Sequence, residues 1–281
     1  MYSEKQLSKK RKTPPVPKNM GDSKKIATFA KINAFFRRSS KYLNRHIMGS
    51  KAKILYVCEK MKPYLPDDGE SILCRALPQA AQEAGMEIRT FMPRFGVINE
   101  RRNQLHEVIR LSGMNIVIDD NDHQLIIKVA SIPAARMQVY FIDNEDLFQR
   151  KAVVTDASGD YFADNDERAI FFARGVIETV NKLRWTSDIV HCHGWFSAMM
   201  PAYVKAVNKE EPLFENNKVV LSLYGKGFAG MLDASLKAKL EADGISPDQT
   251  QILETPTYEN LIRFSLQYCD GLVVSDDGEN D

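Results

Sequence analysis

The five residues Ile54-Leu55-Tyr56-Val57-Cys58 form an unbroken apolar run, the pattern of a strand covered on both faces. Strands of that kind belong to sheets with helices packed on either side, and the chain keeps that alternation. The spacing predicts a helix over 71–84, closed by Gly85 in a left-handed cap, with Pro78 kinking it or shifting its start. A strand over 87–92 follows, ended by Pro93, which completes a βαβ unit. Three short strands over 115–118, 125–129 and 137–142 read as more antiparallel, with Asp119-Asp120-Asn121-Asp122 as turn material between the first two.

A long helix is expected from Asp164, whose Asp164-Asn165-Asp166-Glu167 start looks like a capping box. Ile170, Phe171, Ala173, Val176, Ile177 and Val180 supply its apolar face. A strand over 188–194, a helix over 195–207, a strand over 218–224, helices over 233–242 and 259–268 and a last strand over 271–275 complete the pattern. The expected fold is α/β, a doubly wound and mostly parallel sheet. Ligands of such sheets bind beyond the carboxyl ends of strands. The loops after Cys58, His191 and Tyr224 are therefore the places to look.

Charge divides the chain. Residues 1–51 carry 14 Lys or Arg against Glu4 and Asp22, leaving 24 basic and 35 acidic groups in the rest. We expect two parts: a basic, disordered extension over 1–50 and a catalytic-type domain over 51–281. The extension holds Lys9-Lys10-Arg11-Lys12, a proline-rich stretch and a segment that reads as a short amphipathic helix, in which Ile26, Phe29, Ala30, Ile32, Phe35 and Phe36 alternate with basic residues. Membrane docking, nucleic-acid contact and organelle import are the functional readings of that head. An unstructured tail, or translation from Met48, is the plainer one. Cys58, Cys74, Cys192 and Cys269 form no CxxC pair, so reduced thiols and a cytoplasmic location are expected. No apolar run approaches the ~18 residues of a membrane span, and neither membrane insertion nor a nucleic-acid partner is expected.

Three groups at the strand ends carry chemistry. His191 and His193 share one face of their strand, because strand side chains alternate. A metal site, a purely structural pair, or one structural and one pocket histidine all fit that pattern. Gly225-Lys226-Gly227-Phe228-Ala229-Gly230 is a literal G-x-G-x-x-G, read as a dinucleotide loop, an active-site loop or a plain connection. The loop after the first strand offers one glycine, Gly69, and three carboxylates, Asp67, Asp68 and Glu70. That set opposes a pyrophosphate unless Lys60 or Lys62 folds in.

At these residues the chain resembles the bacterial glycogen synthases and plant starch synthases, over the N-terminal catalytic half of that family. The resemblance rests on Ile54–Glu59 leading to Pro63-Tyr64, on Ala76-Leu77-Pro78 and Gly85, and on Asp164-Asn165 with Arg168. Its most specific block is Asp188-Ile189-Val190-His191-Cys192-His193-Gly194-Trp195, followed by Pro201-Ala202-Tyr203. It implies a GT-B architecture of two Rossmann-like domains, and transfer of glucose from ADP-glucose to an α-1,4-glucan with no metal and no cofactor. It implies His193 as the catalytic-site residue lining the glucose pocket, and Tyr64, Gly69, His191, Lys226 and Gly230 as substrate-binding residues, Lys226 toward phosphate.

The chain departs from the family pattern at three places. Leu65-Pro66-Asp67-Asp68-Gly69 replaces the K-x-G-G-L loop, Gly194 stands where Asp is usual, and Leu223-Tyr224-Gly225 replaces I-H-N. The sequence ends at Asp281, where the linker to a nucleotide-binding half is expected, so a separate C-terminal-half polypeptide is an expected partner. The alternative is a non-catalytic relative that binds glucan or a protein.

Overall fold

The computed structural model describes residues 51–225 and 227–275. The basic head, and the amphipathic helix expected in it, lie outside the described residues, as does Lys226. In chain order the elements are β1 (Lys53–Cys58), α1 (Gly69–Glu83), β2 (Glu87–Pro93), α2 (Glu100–Asn103), β3 (His106–Glu107), β4 (Met114–Ile118), β5 (Asn121–Ile132) and β6 (Met137–Asp143). Then come α3 (Glu145–Phe148), α4 (Asn165–Leu183), β7 (Ile189–His193), α5 (Met200–Ala202), β8 (Lys218–Leu223), α6 (Leu236–Ala242), α7 (Pro247–Thr250), α8 (Tyr258–Leu266) and β9 (Gly271–Val274).

The strands form one sheet in the order β3-β5-β6-β2-β1-β7-β8-β9, with β4 paired to β5. From β6 to β9 every pairing is parallel, whereas β3, β4 and β5 add antiparallel pairs at one edge. The apolar run of β1 is central and buried. The chain winds outward from β1 through β2 to β6, then returns to β1's other side with β7 and continues to β8 and β9. The order therefore reverses between β1 and β7, and a crevice beyond their carboxyl ends is the natural ligand position.

Local chemistry sets the helix starts. α1 begins two residues before the expected Ser71, because Asp68 and Ser71 cap each other: Ser71 N donates to Asp68 Oδ1 at 2.7 Å, and Asp68 N to Ser71 Oγ at 3.0 Å. Pro78 sits inside the helix, and Gly85 closes it at φ +92°.

The capping box expected at Asp164 does not form. Its side chain makes no cap bond and instead pairs with Arg150. Asp166 and Glu167 pair with Lys239 of α6 at 2.7 and 2.9 Å. The apolar face of α4 is buried as expected.

The single helix expected over 195–207 is broken into a 3-10 turn over Trp195–Ser197, α5, and a π turn over Tyr203–Val207. Pro201, which has no N–H to donate, sits in the first turn of α5. The β4–β5 hairpin turns on Asp119 and Asp120, both at positive φ, so the turn is two residues shorter than the Asp119–Asp122 run suggested. No described helix is long and apolar enough to cross a membrane.

Candidate active site

The carboxyl ends of β1 and β7, where the strand order reverses, bring together the residues that end those strands. Cys58 pairs with His193 in register, and Glu59 N donates to His193 O at 3.1 Å. Period-2 alternation puts His191 and His193 side by side, with ring centroids 4.0 Å apart, and Tyr56 of the neighbouring strand stands 5.7 and 6.0 Å from them. His191 Nε2 is hydrogen-bonded to Ser222 Oγ at 2.8 Å. His193 Nδ1 is hydrogen-bonded to the hydroxyl of Tyr224 at 2.7 Å, and the two rings lie nearly parallel, 16° apart. Nε2 of His193 is buried with no hydrogen-bond partner.

Burial lowers both imidazoles, His191 to about 4 and His193 well below its usual value, with the neighbouring His191 adding to the effect. Both rings are therefore neutral at pH 7. Among the described residues no group of three or more His, Cys, Asp or Glu could hold a metal ion.

A pair of carboxyl groups lies at the same strand ends. Glu59, just past β1, is 3% exposed and accepts from Phe196 N at 3.2 Å. Glu70, in the first turn of α1, is 6% exposed, and its Oε1 has no partner. Both converge on Gly194, whose φ is +77°. A β-carbon there would overlap Glu70 Oε1 and lie 2.6 Å from Glu59 Oε2. Burial raises both carboxyls, Glu70 further because Glu59 is beside it.

Lys60 reaches Asp68 at 3.0 Å and Glu70 at 3.4 Å. Burial works against its charge, but Glu70, Glu59 and Asp68 together hold it protonated. Lys62 pairs with Asp67. Both lysines thus fold in, yet each does so onto the loop's own carboxylates. The positive start of α1 is already met by Asp68 and Glu70.

The remaining expected site residues are dispersed. Tyr64 is buried with its ring edge-on to Phe141 at 4.9 Å, and burial pushes its hydroxyl up to about 12. Gly69 and Gly230 are exposed, and a β-carbon at either would meet nothing within 4 Å. Lys226 lies outside the described residues. After Gly230, Met231 is bridged to Thr257, a turn follows, and α6 begins only at Leu236. The glycine loop therefore does not open directly into a helix, as a dinucleotide loop does.

Gly227 leaves room for the ring of Tyr258, against which Phe228 packs at 5.6 Å. Trp195 packs on Phe228 at 4.8 Å. Glu59 and Tyr224 are the neighbours that sequence reasoning missed. The departures at Gly194 and Tyr224 were the signals that marked both places.

A family model described as the starch synthase catalytic domain matches residues 53–278. Among curated relatives, the glycogen synthase of Chlorobium limicola is 35% identical over 195 residues, which cover 69% of this chain and 40% of that protein. The glycogen synthase of Chlorobium phaeobacteroides is 33% identical over 236 residues, covering 81% and 48%. Among solved structures, the catalytic domain of Starch Synthase IV from Arabidopsis thaliana bound to ADP and acarbose has a TM-score of 0.58 at 15% identity, covering 80% of this chain and 52% of that one. That last likeness is one of fold. The chain spans less than half the length of these two glycogen synthases.

Proposed function

The chain belongs to the family of starch synthase catalytic domains, and from that premise we propose that it serves as the N-terminal half of a glucosyltransferase. The reaction is transfer of glucose from ADP-glucose to an α-1,4-glucan, across a GT-B cleft completed by a nucleotide-binding half. The observation that carries this reading is that the family match spans β1 to β9 and so includes both strands at which the sheet order reverses. A neutral imidazole at the end of β7 suits a sugar hydroxyl, since it can donate from one nitrogen and accept at the other.

In this reading residues 51–281 are one catalytic-half domain behind a basic extension, and the cations that meet the departing diphosphate come from the other half. Four free thiols support a cytoplasmic location. The test follows labelled glucose from ADP-glucose into glycogen, with the chain alone and mixed with the C-terminal half of the Chlorobium limicola enzyme. Incorporation in the mixture that vanishes with His193→Ala is expected. No incorporation in any mixture overturns the proposal.

A second reading, glucan binding without turnover, is favoured by one observation. Asp68 and Glu70 occupy the helix start where a diphosphate would otherwise be drawn. In that case glycogen co-sediments with the chain, while calorimetry with ADP-glucose stays silent.

A further inference from the structure

Tyr224 stands immediately after β8, one strand over from His193. Its ring lies 6.0 Å from the imidazole and nearly parallel to it, with the hydroxyl 2.7 Å from Nδ1. His193 itself is fully buried, whereas Tyr224, which holds its Nδ1, is half-buried and reaches the surface. A six-membered ring that sets one hydroxyl on an imidazole nitrogen is also what a bound hexose offers a histidine. Burial, with Cys74, Glu70 and Cys58 nearby, keeps the phenol protonated, so its hydroxyl can donate as a sugar hydroxyl does. On the imidazole's other side, Nε2 has no partner.

We propose that Tyr224 is a specificity-determining plug: its side chain occupies the hexose position against His193, so that a glucan reaches this histidine only when the phenol is displaced. The proposal rests on the hexose-binding reading of His193 above, and it adds that sugar enters that position in this chain only as the phenol swings out of it. The bulk and hydroxyl of residue 224 then set which ligand is admitted. A smaller residue opens the position to a glucosyl unit. Phenylalanine keeps the ring in place but loosens it by removing its hydrogen bond.

The test separates the plug from the reading beneath it. The full chain is treated with diethylpyrocarbonate near neutral pH, where His193 is unprotonated, and modification is mapped by mass spectrometry. Exposed His106 serves as the internal control. In the parent, His193 is protected. In Tyr224→Ala its modification rate relative to His106 rises by about tenfold or more, as protection by burial is lost. In Tyr224→Phe, which retains the ring and guards against a misfolded alanine variant, the rise is smaller but measurable. Equal protection of His193 in the parent and in both variants overturns the plug.

Calorimetry with maltoheptaose supplies the second arm. Tyr224→Ala binds about tenfold or more tighter than the parent, in keeping with a new hydrogen-bonded contact, and adding His193→Ala abolishes the gain. A reactive His193 with no gain in maltoheptaose binding supports the plug and overturns the hexose reading of the position it covers.

Discussion

Replacing Glu70 by glutamine keeps the side chain's shape and removes its charge. Burial and the adjacent Glu59 raise the carboxyl of Glu70 in the folded chain, so the folded state holds its proton more tightly than the unfolded chain does. A carboxyl raised in this way contributes stability in acid, and loses it as pH climbs from about 4.5 through the raised folded value. Glu70→Gln should therefore be more stable than the parent near pH 8, by about 1 to 3 kcal/mol, with the gap closing near pH 4. Urea midpoints at the two pH values measure this, and a variant weaker than the parent at the higher pH contradicts it. At Gly194 the expectation has the opposite sign. Alanine there must adopt φ +77° and displace both carboxyls, so Gly194→Ala should cost about 3 kcal/mol or more and lower the melting temperature by several degrees.

Between elements, ion pairs rather than caps hold α4 in place. Lys239 of α6 is buried between Asp166 and Glu167. Removing it with Lys239→Met strands a buried Asp166 carboxylate, at a cost of about 3 to 5 kcal/mol. Asp166→Asn added to that variant should restore a good part of the loss in denaturant titrations. This tie could not be read from the chain, where 73 positions separate the partners and the Asp164–Glu167 run looked like a self-contained cap. β1 and α1 were legible for the opposite reason: each is written in contiguous residues, an apolar run for β1, and an apolar periodicity closed by Gly85 for α1. The segment 195–207 was misread because a helical period does not reveal that Pro201 and the turn after β7 break the hydrogen-bond ladder.

Across the whole molecule, the mostly parallel, doubly wound sheet followed from strand–helix alternation, whereas the order of its strands, and so the reversal between β1 and β7, did not. The side chains at the β1 and β7 ends were legible only where one strand wrote them. His191 and His193 share a face by period alone. Glu59, Glu70 and Tyr224 gather there from three separate elements, and no spacing encodes that meeting. The gathered groups give the molecule a two-sided response to pH. The histidines are depressed, so their contribution is present above about pH 6.5 and is lost as pH falls toward the value of about 4 held by His191. The carboxyls act in the other direction over much of that range and mask the loss. Once Glu70→Gln removes the larger carboxyl effect, unfolding free energy should decline below pH 6.5 with a slope approaching about 1.4 kcal/mol per pH unit for each histidine. A flat profile in that variant, measured by chemical denaturation from pH 7 to 5, would show that the imidazoles are already solvated.

The bare α-carbon at Gly194 has a consequence for inheritance. Any side chain introduced there must evict a carboxyl group supplied by a distant part of the gene, so positions 59, 70 and 194 can drift only as a trio. A mutational library that varies one codon at a time will score position 194 as frozen, whereas one that shortens Glu70 together with a change at 194 should recover folded survivors.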